Sequence, residues 1–91
     1  MVRLHPGRIL AREMEARKLT ANALALKLRV PPNRISEIIA GRRGISPETA
    51  LRLGRYFRTG PELWIRLQAD FDLSCAEQQF GAAIRRDIAA A

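Results

Sequence analysis

The sequence predicts an all-α protein of five to six helices in one bundle, and three observations support this fold class. Period-two runs of β-branched residues, which indicate strands, are absent from the sequence. Apolar residues instead recur at three- and four-residue steps, as they do on one face of a helix. Helix-start and helix-stop residues separate these stretches. A chain of 91 residues with 47% hydrophobic residues is large enough for one modest core.

Residues 20–41 read as two short helices joined by a tight turn. Thr20 is suited to cap the first of them, and Pro31 cannot continue it because its ring blocks the preceding turn. Pro32 fits the first position of the second helix, where a missing N–H has no consequence, and Gly41 fits the left-handed position that ends it. Two helices with so short a connection form a helix-turn-helix, whose second helix enters the major groove of DNA.

The second helix of this pair has an outer face that suits base edges. Its isoleucines cluster on one side, so that Asn33 and Glu37 point the other way, with Arg34 and Ser36 on the flanks. Asn can pair with adenine, Arg with guanine, and Glu can accept from cytosine. We therefore predict that these four residues face the bases. The alternative is an ordinary solvated face of a helical bundle.

Two arginines stand between two glycines directly after this helix. Arg42 and Arg43 are predicted to bind DNA phosphates, which orients a protein without reading sequence. A solubilising turn is the alternative.

The distribution of charge favours duplex DNA as the partner. Residues 1–45 hold ten Lys and Arg against three acids, whereas residues 46–91 hold six against six, so the net charge of +7 lies entirely in the half with the helix pair. All five aromatic residues lie in the neutral half. Proteins that bind single strands interleave aromatic residues with cations, so that bases can stack, and this chain separates the two.

Three further helix starts follow. Ser46 and Pro47 begin one helix, and capping-box spacings predict others after Thr59 and Ser74. The positions expected to face the core are Ile9, Leu10, Met14, Leu24, Ala25, Leu28, Ile35, Ile38, Ile39, Ala50, Leu53, Gly54, Phe57, Leu63, Trp64, Leu67 and Phe71.

The last predicted helix carries Phe80, Ile84 and Ile88 at four-residue steps. This stripe is too narrow to complete a core and too apolar to leave in water. We predict that it mediates homodimerisation, and packing against the preceding helix is the alternative. A dimer would match a palindromic operator. The chain is accordingly divided into a DNA-binding domain, residues 1–73, and a C-terminal dimerisation helix, residues 74–91.

Other classes of function find little support in the sequence. The single histidine, His5, and single cysteine, Cys75, mark no metal site or catalytic pair, so we expect no metal, cofactor, small-molecule ligand or enzymatic activity. Cys75 is expected to be buried or partly buried. No stretch of about twenty apolar residues or secretory leader occurs, so we expect a cytoplasmic protein without a membrane partner.

The order of motifs resembles that of HigA-type antitoxins, a branch of the Cro/C1 helix-turn-helix family. The resemblance spans about residues 4–80 and rests on five segments, His5–Leu10, Val30–Ile39, Thr49–Leu53, Trp64–Gln68 and Asp72–Leu73. It implies a lambda-repressor-like fold, binding to an operator in the protein's own promoter, and neutralisation of a cognate RelE-like (HigB-type) ribonuclease toxin. It also implies that Thr20 and Asn22 reach phosphate.

Two positions depart from the family's pattern. Arg29 stands where many relatives have Gly, and a left-handed Arg costs on the order of 1 kcal/mol. Pro31 replaces the Ser or Thr that often caps the recognition helix. Two other functions stay open, a protein-interaction module that masks a partner without operator binding and a stand-alone repressor.

Overall fold

The structure, a computed structural model, describes residues 4–91, and all regular secondary structure in that range is helical. The predicted all-α class is therefore confirmed. The elements in chain order are α1 (Pro6–Ala16), α2 (Ala21–Leu28), α3 (Pro32–Ile39), α4 (Pro47–Phe57), α5 (Pro61–Ala76), a π-helical segment (Glu77–Gly81) and α6 (Ala82–Asp87). No helix within residues 4–91 is both long enough and apolar enough to cross a membrane.

One hydrophobic core lies among the first five helices. The large side chain of Trp64 is fully buried in it, and its indole N–H donates a hydrogen bond to Thr59 Oγ1 at 3.0 Å. The predicted core positions are confirmed as buried or packed on the core, except that Leu63 is 41% exposed and Phe71 lies at the edge of the core against His5. The fully or largely buried hydrophobic residues are Leu10, Met14, Leu24, Ala25, Leu28, Ile35, Ile38, Ile45, Ala50, Leu53, Phe57 and Trp64.

Side-chain caps begin two of the helices as predicted. Thr20 Oγ1 accepts the Ala23 N–H at 3.1 Å, and Ser46 Oγ accepts the Thr49 N–H at 3.2 Å. The capping box predicted at Thr59 is wrong. Gly60, which has no side chain, is the N-cap of α5, and the Thr59 hydroxyl accepts the Trp64 indole N–H and donates to the Gly60 carbonyl oxygen.

The separate helix predicted to start at Ser74 is also wrong. Ser74 is buried inside α5, and α5, the π-helical segment and α6 run on without a break, since the residues at both junctions keep right-handed helical backbone angles. The capping-box spacing after Ser74 therefore lies within a helix, where the backbone N–H groups already have partners. The predicted domain boundary at 73/74 coincides with no break in the chain's helical structure.

This continuous helix makes the molecule elongated, with principal extents of 49 × 22 × 22 Å. Cys75, within it, is partly buried, as predicted.

Candidate DNA-binding surface

The turn between α2 and α3 has the backbone geometry of a Schellman motif. Arg29 is left-handed (φ 59°, ψ 48°), the Val30 N–H donates to Ala25 O at 3.1 Å, and the Arg29 N–H donates to Leu26 O at 3.3 Å. Arg29 therefore takes the left-handed conformation that glycine adopts without strain. Pro31 occupies the N-cap of α3 and makes no side-chain cap, which was expected.

The recognition helix α3 is anchored by its isoleucines. Ile35 and Ile38 are fully buried, and Ile39 packs at the edge of the core. α1 approaches α3 at backbone distance, because a Cβ on Gly7 would lie 2.0 Å from the Ile38 carbonyl oxygen. Two elements therefore fix the angle of α3, α2 through the short turn and α1 through this contact.

The predicted base-facing residues lie on the outer side of α3. Asn33 and Ser36 are exposed. Arg34 and Glu37 are only partly exposed, and for Glu37, which was predicted to point outward with Asn33, the Arg43 side chain lies against the carboxylate. The Ser36 hydroxyl donates to Asn33 O at 3.1 Å, which leaves its lone pairs available as acceptors. The Asn33 side chain makes no hydrogen bond that the structure records within residues 4–91.

Two of the predicted DNA-binding residues form an ion pair with each other. Arg43 Nε donates to Glu37 Oε1 at 2.9 Å, so the loop after α3 folds back onto the recognition helix. In this conformation the charge of Arg43 is offset and the Glu37 carboxylate is occupied. Arg42 is exposed, and no carboxylate within residues 4–91 lies at ion-pair distance from it.

Arg34 also has an acidic neighbour, which the sequence analysis did not identify. Its guanidinium lies 3.6 Å from the carboxylate of Glu48, and Arg52 donates to the same carboxylate at 3.0 Å. The hydrogen bond from Arg52 lowers the pKa of the Glu48 carboxyl group, with a smaller electrostatic contribution from Arg34. The ion pairs of Glu48 with Arg34 and Arg52 are therefore present above the ordinary pKa of a glutamate, and they are lost as the pH falls through the lowered pKa of Glu48.

The residues that the family resemblance assigns to phosphate lie at the start of α2. Thr20 and Asn22 are both exposed, and the Thr20 hydroxyl oxygen caps the helix through the Ala23 N–H. A phosphate at this end would meet the N–H groups of the first turn, which favour anions.

Two arginines of α1 adjoin this surface, and the sequence analysis assigned them no role. Arg8 and Arg12 line a depression of about 450 Å³ together with the end of α3, including Gly41. Both are exposed, and no carboxylate within residues 4–91 lies at ion-pair distance from either. Both arginines were counted in the positive charge of residues 1–45. Their position beside the loop that holds Arg42 follows only from the packing of α1 against α3.

His5 has a structural position at the start of α1. Its Nδ1 accepts the Gly7 N–H at 2.9 Å, and its ring packs edge-on against Phe71, with 4.8 Å between the ring centroids. No group of three or more His, Cys, Asp or Glu side chains within residues 4–91 could hold a metal ion.

The predicted dimerisation residues are exposed near the C-terminus. The exposed fraction is 49% for Phe80, 52% for Ile84 and 66% for Ile88. Leu73, near the end of α5, is 67% exposed. Ile88 lies one residue beyond the end of α6, with an extended backbone. Leu73 was not among the predicted dimerisation residues, and its exposed side chain lies on the same continuous helix.

Comparison with known proteins identifies the family of this chain. A helix-turn-helix family profile matches residues 10–64. Virulence-associated protein I of Dichelobacter nodosus is 47% identical over 79 residues, which cover 86% of this chain and 73% of that protein.

Solved structures match the whole fold. An addiction module antidote protein of the HigA family from Coxiella burnetii is 40% identical and aligns over 100% of both chains with a TM-score of 0.96. The Pseudomonas aeruginosa antitoxin HigA, solved with the higBA promoter, is 36% identical and aligns over 97% of both chains with a TM-score of 0.93. The chain therefore belongs to the Cro/C1-type helix-turn-helix family, and its fold is that of the HigA-family antitoxins.

Proposed function

We propose that this protein is the antitoxin of a type II toxin–antitoxin pair, which binds operator DNA in its own promoter and represses its operon. One observation carries the proposal. The chain presents a polar helix face beside an excess of cations, in a fold that aligns closely with an antitoxin solved with its promoter.

The ion pairs on this surface imply an exchange of partners on binding. Arg34 leaves Glu48, and Arg43 leaves Glu37, when a guanine edge or a phosphate takes their place. Exposed ion pairs of this kind contribute about 0–1 kcal/mol each, so the exchange is easily offset by contacts with DNA. Because Arg52 also contacts Glu48, that carboxylate keeps a cationic partner after Arg34 has moved.

Dimerisation through Phe80, Ile84 and Ile88 supports this function. Their exposed surface is the kind that a second copy of the chain would cover, and a two-fold dimer reads a palindromic operator with half-sites about 34–36 Å apart.

The toxin is proposed from the family resemblance to be a RelE-like (HigB-type) ribonuclease encoded beside this protein, with both acting in the cytoplasm. Co-expression with the neighbouring reading frame tests this part. We expect a complex that copurifies and relieves the growth arrest that the partner causes alone. If the product of the neighbouring reading frame is harmless when expressed alone, the antitoxin role is contradicted. The protein would then be a stand-alone repressor that binds its operator.

The DNA-binding part is tested with Arg34→Ala. Fluorescence anisotropy would compare the duplex upstream of the gene with a scrambled duplex of equal length. If Arg34 pairs with guanine, the variant loses about 1–3 kcal/mol of discrimination, mostly through weaker binding to the upstream duplex. The matched control is Arg66→Ala, an exposed arginine of α5 without a carboxylate partner within residues 4–91. Equal losses on both duplexes would reassign Arg34 to the DNA backbone.

A masking module without operator binding is the second candidate, and the paired state of Arg34 and Arg43 favours it. Salt dependence separates the two. A protein that binds six or more phosphates loses about a thousandfold or more in affinity between 50 and 200 mM salt. Absence of binding to the upstream duplex even at low salt would reject the repressor and retain the masking module.

A further inference from the structure

A second basic site lies where the end of α2 meets α4. It is a cleft of about 250 Å³ lined by Lys27, Leu28, Arg29, Arg52, Arg55 and Tyr56. None of these six residues was assigned a DNA-binding role by sequence. The cleft is smaller than the roughly 300–1,000 Å³ of pockets for drug-sized ligands, so a single small group would fill it.

Three of the four cations of this cleft have no acidic partner, whereas Arg52 is paired with Glu48. No carboxylate within residues 4–91 lies at ion-pair distance from Lys27, Arg29 or Arg55. Like charges that line one cleft repel each other, and an anion between them would remove this repulsion.

Arg52 supplies the most fixed donor group of the cleft. One of its terminal nitrogens donates to the carbonyl oxygen of Leu28 at 2.8 Å, and the other donates to Glu48 at 3.0 Å. Its Nε is buried and has no hydrogen-bond partner in the structure. A buried N–H without an acceptor is unfavourable, so a small shift of the guanidinium toward an acceptor would be favourable.

Arg29 brings a strained backbone to the same cleft. Its left-handed conformation is one that glycine adopts without strain, yet the residue here is an arginine that adds a positive charge beside three others. Lys18 and Arg58 also adopt this left-handed backbone at helix ends, so the charge of Arg29, and not its backbone, points to a ligand.

We propose that this cleft binds a phosphate group. A phosphate dianion offers oxygens in several directions, which suits donors that come from α2, from the turn after α2 and from α4, and Tyr56 also lines the cleft. The phosphate is either free in solution or part of a DNA backbone, and the second source rests on the proposed function.

Titration with inorganic phosphate tests the first source. The NMR signals of the arginine Nε–H groups would be followed as phosphate replaces chloride at constant ionic strength. We expect Arg29, Arg52 and Arg55 to shift along one saturable curve, whereas Arg66 stays unchanged. Arg29→Gly should weaken this binding about tenfold, through loss of a charge-assisted contact.

Arg29→Gly is a suitable variant because it removes the guanidinium and relieves the left-handed strain together. Loss of binding in a variant that is at least as stable as the wild type cannot be attributed to misfolding. A second variant, Arg55→Gln, keeps the backbone of α4 and should weaken phosphate binding in the same sense.

DNA binding by the same variants distinguishes the second source. If the phosphate belongs to a duplex, inorganic phosphate changes the NMR signals little. Both variants then weaken binding to the upstream and scrambled duplexes alike, and the slope of log affinity against log salt concentration falls in magnitude by about one. Unchanged NMR signals together with wild-type DNA affinity in both variants would overturn the proposal. Wild-type binding to the upstream duplex is measured in parallel. The proposal that the cleft binds phosphate can therefore be rejected while the proposal that the protein binds its operator is retained.

Discussion

Two stripes of apolar residues at helical spacing differ in their burial in this protein. On α3, Ile35 and Ile38 are both fully buried. Near the C-terminus, Phe80 and Ile84 are about half exposed, at 49% and 52%. The residue types and their spacing are similar, so the difference lies in what surrounds each helix.

The surroundings follow from the chain's connections. α3 is joined to α2 by a short turn and lies against α1, so that neighbours cover its apolar side from two directions. α6 continues α5 past the core, and the elements in contact with it are those of its own continuous helix. Periodicity therefore predicts which face of a helix is apolar, but only the tertiary arrangement decides whether the same chain or a second copy covers it.

Truncation of one isoleucine in each stripe is the sharpest way to test this comparison. Ile38→Ala leaves a cavity in a fully packed core, so we expect it to reduce the free energy of unfolding by about 2–5 kcal/mol. Ile84→Ala removes atoms that are already half in water and should change the stability of the monomer by less than about 1 kcal/mol.

Urea unfolding measures both variants, at protein concentrations low enough to keep the chain monomeric. Similar losses in the two variants would mean that the C-terminal stripe packs within its own chain, which was the alternative to dimerisation.

The exposed stripe should instead govern association. Phe80→Asp places a charge where a large apolar contact is proposed, and we expect the dimer to weaken by about 2–4 kcal/mol while helix content is retained. Analytical ultracentrifugation measures the dissociation constant. Glu62→Asp, a change on the exposed start of α5, is the control that should leave it unaltered. A dimer of unchanged affinity in Phe80→Asp would place the interface elsewhere.

The contact between α1 and α3 is the next effect in size. In Gly7→Ala, the new Cβ would lie 2.0 Å from a backbone carbonyl, and backbone cannot rotate away as a side chain can. We expect a loss of about 1–3 kcal/mol in unfolding free energy and weaker operator binding, because α3 must tilt. Gly44→Ala is the control, since the nearest atoms to its Cβ, at 3.0–3.1 Å, belong to the Gln68 side chain, which must shift by only a few tenths of an ångström. If Gly7→Ala binds and unfolds like the wild type, α1 does not determine the angle of α3.

The sequence predicted the helices of the motif and their buried faces well, because each is a local pattern of apolar residues and caps. Predictions from the sequence were wrong where a structure depends on residues distant in sequence, or where one side chain has several possible hydrogen-bond partners. The hydroxyls of Thr59 and Ser74 have capping-box spacing, but one bonds to Trp64 and the other lies inside a helix.

The ion pairs of the DNA-binding surface show the same limit. Glu37 and Arg43 were each predicted to contact DNA, and their spacing of six residues corresponds to no helical neighbour pair. Their contact forms because the loop after α3 returns toward that helix. Glu48 lies in the first turn of α4, and nothing local in the sequence indicates that Arg34 lies across from it.

The smallest predicted effect compares the two helix ends of the motif. α2 ends with left-handed Arg29, and α3 ends with left-handed Gly41 (φ 79°) in the same hydrogen-bond pattern, with Arg42 N donating to Glu37 O at 2.9 Å. A Cβ on Gly41 would meet nothing within 4 Å, so Gly41→Ala isolates backbone strain and should lower the unfolding free energy by about 1 kcal/mol. Arg29→Gly should raise it by a similar amount, because it removes that strain from the other helix end. Urea unfolding at high salt, which screens the charge removed with Arg29, measures both. Changes of the same sign would show that helix-end strain does not distinguish the two positions.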